Sequence, residues 1–164
     1  MKLVTYLLKA DSGKKQYVGA LTKDESQVVD LQKAAQKITG KASRWFESMI
    51  DLLTGAGDAR ALAAELLEKA DSSCKVAMED VQLLAPVPRP LTLRDCACHE
   101  AHVTNGQRRI LMTKGIDPNT VDPETLKPTK DWYFMPLFYK GNVNSVIGTG
   151  VDVAYPEGET FKDY

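Results

Sequence analysis

The stretch "LLAPVPRPLTLRDCACHEAHV", residues 83–103, sets the division of this chain. Its first half contains three prolines, which exclude a regular helix or a central strand and favour an extended linker. Its second half holds most of the reactive side chains. We therefore predict three segments: an N-terminal α+β domain, a proline linker and a second domain, at residues 1–85, 86–90 and 91–164.

Both histidines of the chain, His99 and His102, lie in the second half of this stretch. The absence of proline before Pro118 predicts a helix over residues 94–113. At 100° per residue, that helix places four side chains on one face, namely Asp95, Cys98, His99 and His102. An acid and an imidazole on one face suit an oxygen ligand for a divalent cation at Asp95 and a general base at His102.

Spacing alone leaves other interpretations open. A zinc site would need the thiolates of Cys96 and Cys98 to converge, and a helical C-x-C does not bring them together. A partly buried helix with packed His and Cys side chains is a second alternative. For Mg²⁺ or Ca²⁺, Asp95 is insufficient, because these cations take six or more oxygen ligands.

On the N-terminal side, three segments predict a small β-meander, because Val, Leu, Tyr and Thr dominate them and turn formers separate them. They are "KLVTYLL" (2–8), "KQYVGAL" (15–21) and "QVVDL" (27–31). Two helices are predicted next, at 43–55 and 57–71. The first carries an apolar face of Trp45, Met49, Leu52 and Leu53, which we expect to pack on the meander.

On the C-terminal side, residues 115–131 contain three prolines and are predicted to be a loop. The aromatic-rich segment "WYFMPLFYK" (132–140) follows, and then two predicted strands, "SVIGTG" (145–150) and "VDVAYP" (151–156). These strands have no obvious partners, so we expect the sequence to be cut short before the domain is complete.

The composition excludes several classes of function. With 21 basic and 22 acidic residues and a net charge of −1, no basic patch for nucleic acid or an anionic membrane is expected. No apolar run approaches the ~20 residues of a membrane span. Cysteines at 74, 96 and 98 are odd in number and do not form a disulfide framework, which predicts reduced thiols and a cytoplasmic location.

The stretch 83–103 resembles the entry to the catalytic domain of fumarylacetoacetate hydrolase-like proteins, in which a "PRP" linker precedes R-D-aromatic-x-x-x-E-x-H-V. The matching residues are Arg94, Asp95, Glu100, His102 and Val103. A second block, residues 132–156, resembles that family's W-Y-x-x-P-x-F-Y-x-x-N-x-x-x-x-G-x-G segment. It matches through Trp132, Tyr133, Pro136, Phe138, Tyr139, Asn142, Gly148 and Gly150.

The resemblance implies a fold, an activity and a site. The fold would be the N-terminal α+β domain followed by the start of a mixed β-sandwich roll, in a protein that is a homodimer when complete. The activity would be hydrolysis of a carbon–carbon bond in a 1,3-dicarbonyl or acylpyruvate-type oxo-acid, with Mg²⁺ or Ca²⁺, or in some members Mn²⁺. The resemblance implies Asp95 as metal ligand, His102 as general base and Tyr139 in the substrate pocket.

Further candidate residues follow from the same comparison. Glu100 and His99 are added as catalytic candidates, His99 as an alternative base, and Arg94 and Asn142 as substrate-binding candidates. The family's E-x-E metal pair is expected beyond the closing "DY", so these residues alone are predicted to be inactive. Two alternatives stay open: a catalytically inactive chain that acts as a binding or regulatory partner, and a decarboxylase, hydratase or isomerase of a related oxo-acid.

Overall fold

The computed structural model describes residues 1–11, 15–154 and 157–158. These residues form two compact units: residues 1–90 with the described residues from 144 onward, and residues 91–143. Strands and helices are mixed, and the fold class is α+β, as predicted. The assignment of residues 1–85, 86–90 and 91–164 as domain, linker and domain stays a prediction.

The first unit is built on an antiparallel sheet of five strands in the order β4-β3-β2-β1-β5. The predicted meander is confirmed: it forms β1 (Leu3–Leu8), β2 (Tyr17–Leu21) and β3 (Gln27–Asp30). The two outer strands are β4 (Lys75–Ala77) and β5 (Val81–Leu83). The register places Val4 opposite Gly19 and Gly19 opposite Asp30, so Gly19 lies in the middle of three paired strands.

Three helices cover one face of this sheet. They are α1 (Leu31–Thr39), α2 (Met49–Thr54) and α3 (Ala56–Lys69). Their buried faces join the strands in one core cluster, in which Leu31, Leu52 and Leu66 are fully buried. The predicted helix at 57–71 is confirmed as α3, because its apolar residues recur at helical spacing against this core.

Helix α1 and strand β4 are not predicted from the sequence. Helix α1 nevertheless carries clear terminal signals: the Asp30 carboxylate accepts from the Lys33 N–H at 2.9 Å, and Gly40 ends the helix at φ 75°. Strand β4 has three residues and is held extended by its pairing with β3. Such a short strand has no recognisable local sequence pattern.

The single helix predicted at 43–55 is wrong over its first half. Residues Arg44–Phe46 form a 3₁₀ turn, and the α-helix starts only at Met49. The hydroxyl of Ser48 accepts from the Asp51 N–H at 3.1 Å and caps that new start. Leu53, expected in the core, is 53% exposed, whereas Met49 and Leu52 on the same helix are buried.

The second face of the sheet carries its own apolar cluster, centred on Tyr6, Val28 and Val81. Tyr6 is fully buried and stacks on Tyr17 with ring centroids 5.5 Å apart. Its hydroxyl has no hydrogen-bond partner among the described residues. Burial, and then the nearby Asp30 carboxylate, raise the pKa of Tyr6.

The second unit contains a two-stranded antiparallel sheet, β6 (Arg94–Cys96) with β7 (Phe138–Lys140), and helix α4 (Glu100–Thr113). The predicted loop at 115–131 contains the 3₁₀ turn Pro123–Leu126, which buries Leu126. In the first unit, the strand predicted at 145–150 is not formed, since a 3₁₀ turn covers Val143–Ser145 and irregular backbone follows.

The strand predicted at 151–156 is also wrong over 151–154, which has no regular structure, and its last two residues lie outside the described ranges. The closing "DY" lies outside them as well. None of the helices in the described ranges combines the length and apolar character that a membrane span requires.

Candidate functional site

The two sequence blocks that carry the resemblance pair with each other in the second unit. Strands β6 and β7 run antiparallel, with Asp95 directly opposite Tyr139. The Ala97 N–H donates to the Leu137 carbonyl at 3.0 Å and extends the ladder by one residue. The helix predicted over 94–113 is therefore wrong at its start, because backbone pairing holds residues 94–96 extended.

This correction changes which side chains share a face. In a strand, neighbouring residues point to opposite sides, so Asp95 and Tyr139 project from one face of the hairpin. Arg94 projects from the other face, where its guanidinium lies 5.0 Å from the Phe138 ring centroid. The sheet brings Asp95 to Tyr139 and directs Arg94, a predicted substrate-binding residue, away from both.

Both histidines lie at the beginning of α4. His99 is the residue before the helix, and its carbonyl accepts from the N–H groups of His102 and Val103 at 3.0 and 3.2 Å. The Cys98 N–H donates to the Cys96 carbonyl at 2.9 Å, so a tight turn separates the strand from the helix. Asp95 and the histidines thus lie on different elements, and the predicted common helical face does not form.

Glu100 is engaged by a different group of residues. Its carboxylate lies beside the hydroxyl of Tyr133, and the pKa of Tyr133 is raised first by desolvation and then by Glu100. Lys127, which is also near Glu100, pairs with Glu124 at 2.6 Å, and these acids raise the pKa of Lys127. Glu100 therefore lies in a polar cluster with Tyr133, Lys127 and Glu124.

Asn142 follows the end of β7 and is exposed, as is Tyr139. Gly141 lies between β7 and Asn142, and its N–H donates to the Leu93 carbonyl at 3.0 Å. An added Cβ on Gly141 would come within 2.9 Å of the Leu93 Cδ2 atom, so glycine permits this close approach. The backbone hydrogen bonding between the two segments therefore continues to Gly141, the residue before Asn142.

A pocket of about 320 Å³ lies in the second unit next to the hairpin, and neither Asp95 nor Tyr139 is among its lining residues. It is lined by Ala97, Cys98 and residues 132–137, and the Trp132 indole N–H donates to the Ala97 carbonyl at 2.7 Å. Ala97 directly follows β6 and Leu137 directly precedes β7, so the pocket lies at this end of the hairpin. This pocket is not predicted from the sequence, although the density of apolar residues in 132–137 is a signal for it.

The donor set does not fit a tightly held divalent cation. Within residues 1–11, 15–154 and 157–158, no three His, Cys, Asp or Glu side chains converge as metal ligands. Asp95 brings one carboxylate, and Mg²⁺ or Ca²⁺ needs several further oxygens. Cys96 and Cys98 are exposed and unbridged.

No protein-family model matches the chain, and a search of curated proteins found no match.

Proposed function

We propose that this chain is part of a fumarylacetoacetate hydrolase-like enzyme, which hydrolyses a carbon–carbon bond in an acylpyruvate or related 1,3-dicarbonyl oxo-acid. The supporting observation is the register of β6 and β7. Asp95 and Tyr139 belong to different blocks of the resemblance and are far apart in sequence, yet they are direct cross-strand neighbours. Neighbours of this kind have Cβ atoms about 5 Å apart, close enough to contact one substrate.

In this proposal the imidazole of His102 takes a proton from water. Histidine is the side chain most often used to move protons in catalysis at neutral pH. The resulting hydroxide adds to a substrate carbonyl, the carbon–carbon bond breaks, and the departing carbon accepts a proton. Tyr139 contacts the substrate beside Asp95, while Asn142 and Arg94 remain weaker binding candidates, Arg94 because it points from the opposite face.

The same proposal includes a mixed β-sandwich roll, a homodimer and a cytoplasmic location. It also includes Mg²⁺, Ca²⁺ or Mn²⁺ with Asp95 as one ligand. Since the described donor set does not fit such a cation, the other ligands would have to come from residues outside it.

The test uses the product of the complete reading frame that contains these 164 residues. Acetylpyruvate cleavage is followed by loss of the enol absorbance, with and without EDTA and added Mg²⁺. His102→Ala should lower kcat by about 100-fold or more, while His99→Ala, the matched control at the same helix start, should change it little. The reverse pattern would assign the base to His99.

No cleavage of any acylpyruvate would overturn the proposed function. Turnover of oxaloacetate or of a dienoate instead would favour the decarboxylase, hydratase or isomerase alternatives. These outcomes are distinguishable because each substrate gives a different product.

A second candidate is a catalytically inactive binding partner, and one observation favours it. Residues 133–139 expose large apolar side chains: Phe134 is 85% exposed, Tyr139 74% and Leu137 61%. Contiguous exposed apolar surface of this kind marks interaction sites. Sedimentation of the 164-residue chain with a catalytically active homologue would detect such a complex, and independent sedimentation of the two would exclude it.

A further inference from the structure

Cys96 and Cys98 are two exposed cysteines of the second unit that are separated by one residue. On the helix predicted over 94–113, their side chains would point about 200° apart around the axis. The structure replaces that helix at this point. Cys96 is the last residue of β6, and Cys98 lies in the turn between β6 and α4. The two thiols therefore have a different spatial relation from the one that the sequence predicts.

The turn brings the backbones of the two cysteines close together. The Cys98 N–H donates to the Cys96 carbonyl at 2.9 Å, which closes a three-residue γ-turn centred on Ala97. In a fully extended strand, the Cα atoms of residues i and i+2 are about 6.6 Å apart. That separation is already near the upper end of the range of about 4.4–6.8 Å that disulfides span. The hydrogen bond draws the ends of the turn closer than an extended chain, and thus further into this range.

Two hydrogen bonds from distant residues hold the turn in place. The Ala97 N–H donates to the Leu137 carbonyl at 3.0 Å, and the Trp132 indole N–H donates to the Ala97 carbonyl at 2.7 Å. Neither bond involves a thiol, so the backbone between the two cysteines is fixed before any bond forms between them. A bridge across this turn therefore costs little additional conformational entropy.

The accessibility of the thiols distinguishes this pair from the third cysteine. Thiol–disulfide exchange requires the attacking sulfur to reach a disulfide in solution, and both Cys96 and Cys98 are exposed and unbridged. Cys74 is only 1% exposed and belongs to the core of the first unit. We therefore expect exchange at Cys96 and Cys98 and none at Cys74 in the folded chain.

We propose that Cys96 and Cys98 are a redox-active dithiol, which exchanges with low-molecular-weight disulfides and forms a reversible bridge within the chain. One cysteine sulfur attacks the small disulfide and bonds to one half of it, and the other half leaves as a thiol. The second cysteine then attacks the first cysteine sulfur, forms the Cys96–Cys98 bond and releases the second thiol. The cysteines are oxidised by two electrons, the small disulfide is reduced, and both thiol protons end on the two released thiols. This site is independent of the proposed hydrolase activity.

The test equilibrates the 164-residue chain with glutathione and glutathione disulfide over a series of ratios. The remaining thiols are then blocked with iodoacetamide, and tryptic peptides are weighed by mass spectrometry. One tryptic peptide, residues 95–108, contains both exposed cysteines, and Cys74 lies in another, residues 70–75. Peptide 95–108 should lose two hydrogens, and its bridged form should exceed the form that carries glutathione by about tenfold or more. Excess dithiothreitol should restore both thiols, because exposed bridges are readily reduced.

Variants separate a bridge from independent reaction of two exposed thiols. Cys96→Ser and Cys98→Ser should each leave one thiol that takes up one glutathione and keeps it. The matched control is the double variant Ala97→Cys, Cys98→Ser, which keeps two thiols on neighbouring residues, whose side chains point to opposite sides of an extended backbone. In that variant the forms that carry glutathione should predominate.

Four results would overturn the proposal. They are a wild-type peptide 95–108 that carries glutathione on both cysteines without a bridge, thiols that do not react, a bridge that joins two chains or reaches Cys74, and a control variant that bridges as readily as the wild type.

Discussion

Gly19 lies in the sheet of the first unit at a position that has no room for a larger side chain. It lies in β2 between two paired strands, and an added Cβ would overlap the Val28 Cγ1 atom. The same Cβ would be 2.9 Å from the Val29 carbonyl oxygen and 3.0 Å from the Tyr6 Cε1 atom. Val28 and Tyr6 are fully buried, and the oxygen belongs to a paired strand, so none of the three can move freely.

We expect Gly19→Ala to lower the free energy of unfolding of this unit by about 2 kcal/mol. Overpacking a buried site costs about 1–3 kcal/mol, and the reduced freedom of the unfolded chain returns less than 1 kcal/mol. A unit of this size is stable by about 5–13 kcal/mol, so the variant should still fold. With a urea m-value near 1.5 kcal/mol/M, the midpoint should fall by about 1.3 M.

The assay is urea unfolding followed by the emission of Trp45, which lies in the first unit, in a Trp132→Phe background that removes the signal of the second unit. The matched control is Gly57→Ala in α3, where an added Cβ meets nothing within 4 Å. That variant should be stabilised by about 0.5–1 kcal/mol, because alanine favours a helix. If the urea midpoint shifted in the same direction in both variants, the packing described for β2 would be refuted.

Two further results are expected. Tyr6→Phe should raise the free energy of unfolding by about 1 kcal/mol, because the buried hydroxyl has no partner among the described residues; Tyr17→Phe, whose hydroxyl is exposed, should change it by less than about 0.5 kcal/mol. A loss of stability in Tyr6→Phe would contradict this. Hydrogen bonds to Asp71 lower the pKa of its carboxyl to about 2, below its ordinary 3.8. The bond from the Lys37 ammonium has the largest effect, and the bond from the Ser73 hydroxyl has the second largest. Because the folded-state pKa is the lower one, this pair stabilises the unit above about pH 4, and the contribution is lost as the pH falls toward 2. Carboxyl ¹³C titration should show this pKa rising toward 3.8 in Lys37→Gln, and an unchanged value would exclude the pair.

Local patterns predict much of the first unit. Alternating apolar residues and turn formers identify β1, β2 and β3, and helical spacing with a lysine in the last turn identifies α3. Helix α1 is missed because "QVVDL" continues the apolar run of β3 into its first residue, although Asp30 and Gly40 carry the capping signals. Strand β4 has too few residues for any pattern.

In the region of the candidate site, the local sequence pattern predicts the wrong secondary structure. Residues 94–99 continue without proline into α4, so helical periodicity extends too far toward the linker. What holds Arg94–Cys96 extended is Phe138–Lys140, a segment far along the chain. A pairing partner so far along the chain does not change the local hydrophobic periodicity of either segment.

The sequence by itself determined the α+β class of the first unit, the positions of β1, β2, β3 and α3, and the set of polar side chains available near residues 94–103. Only the tertiary structure decided that Asp95 lies opposite Tyr139, that Arg94 points from the other face, and that Glu100 lies beside the hydroxyl of Tyr133. The physical reason is the direction of the side chains. They repeat every two residues along a strand and every 3.6 residues along a helix, so a segment that forms a strand instead of a helix places a different set of side chains on each face.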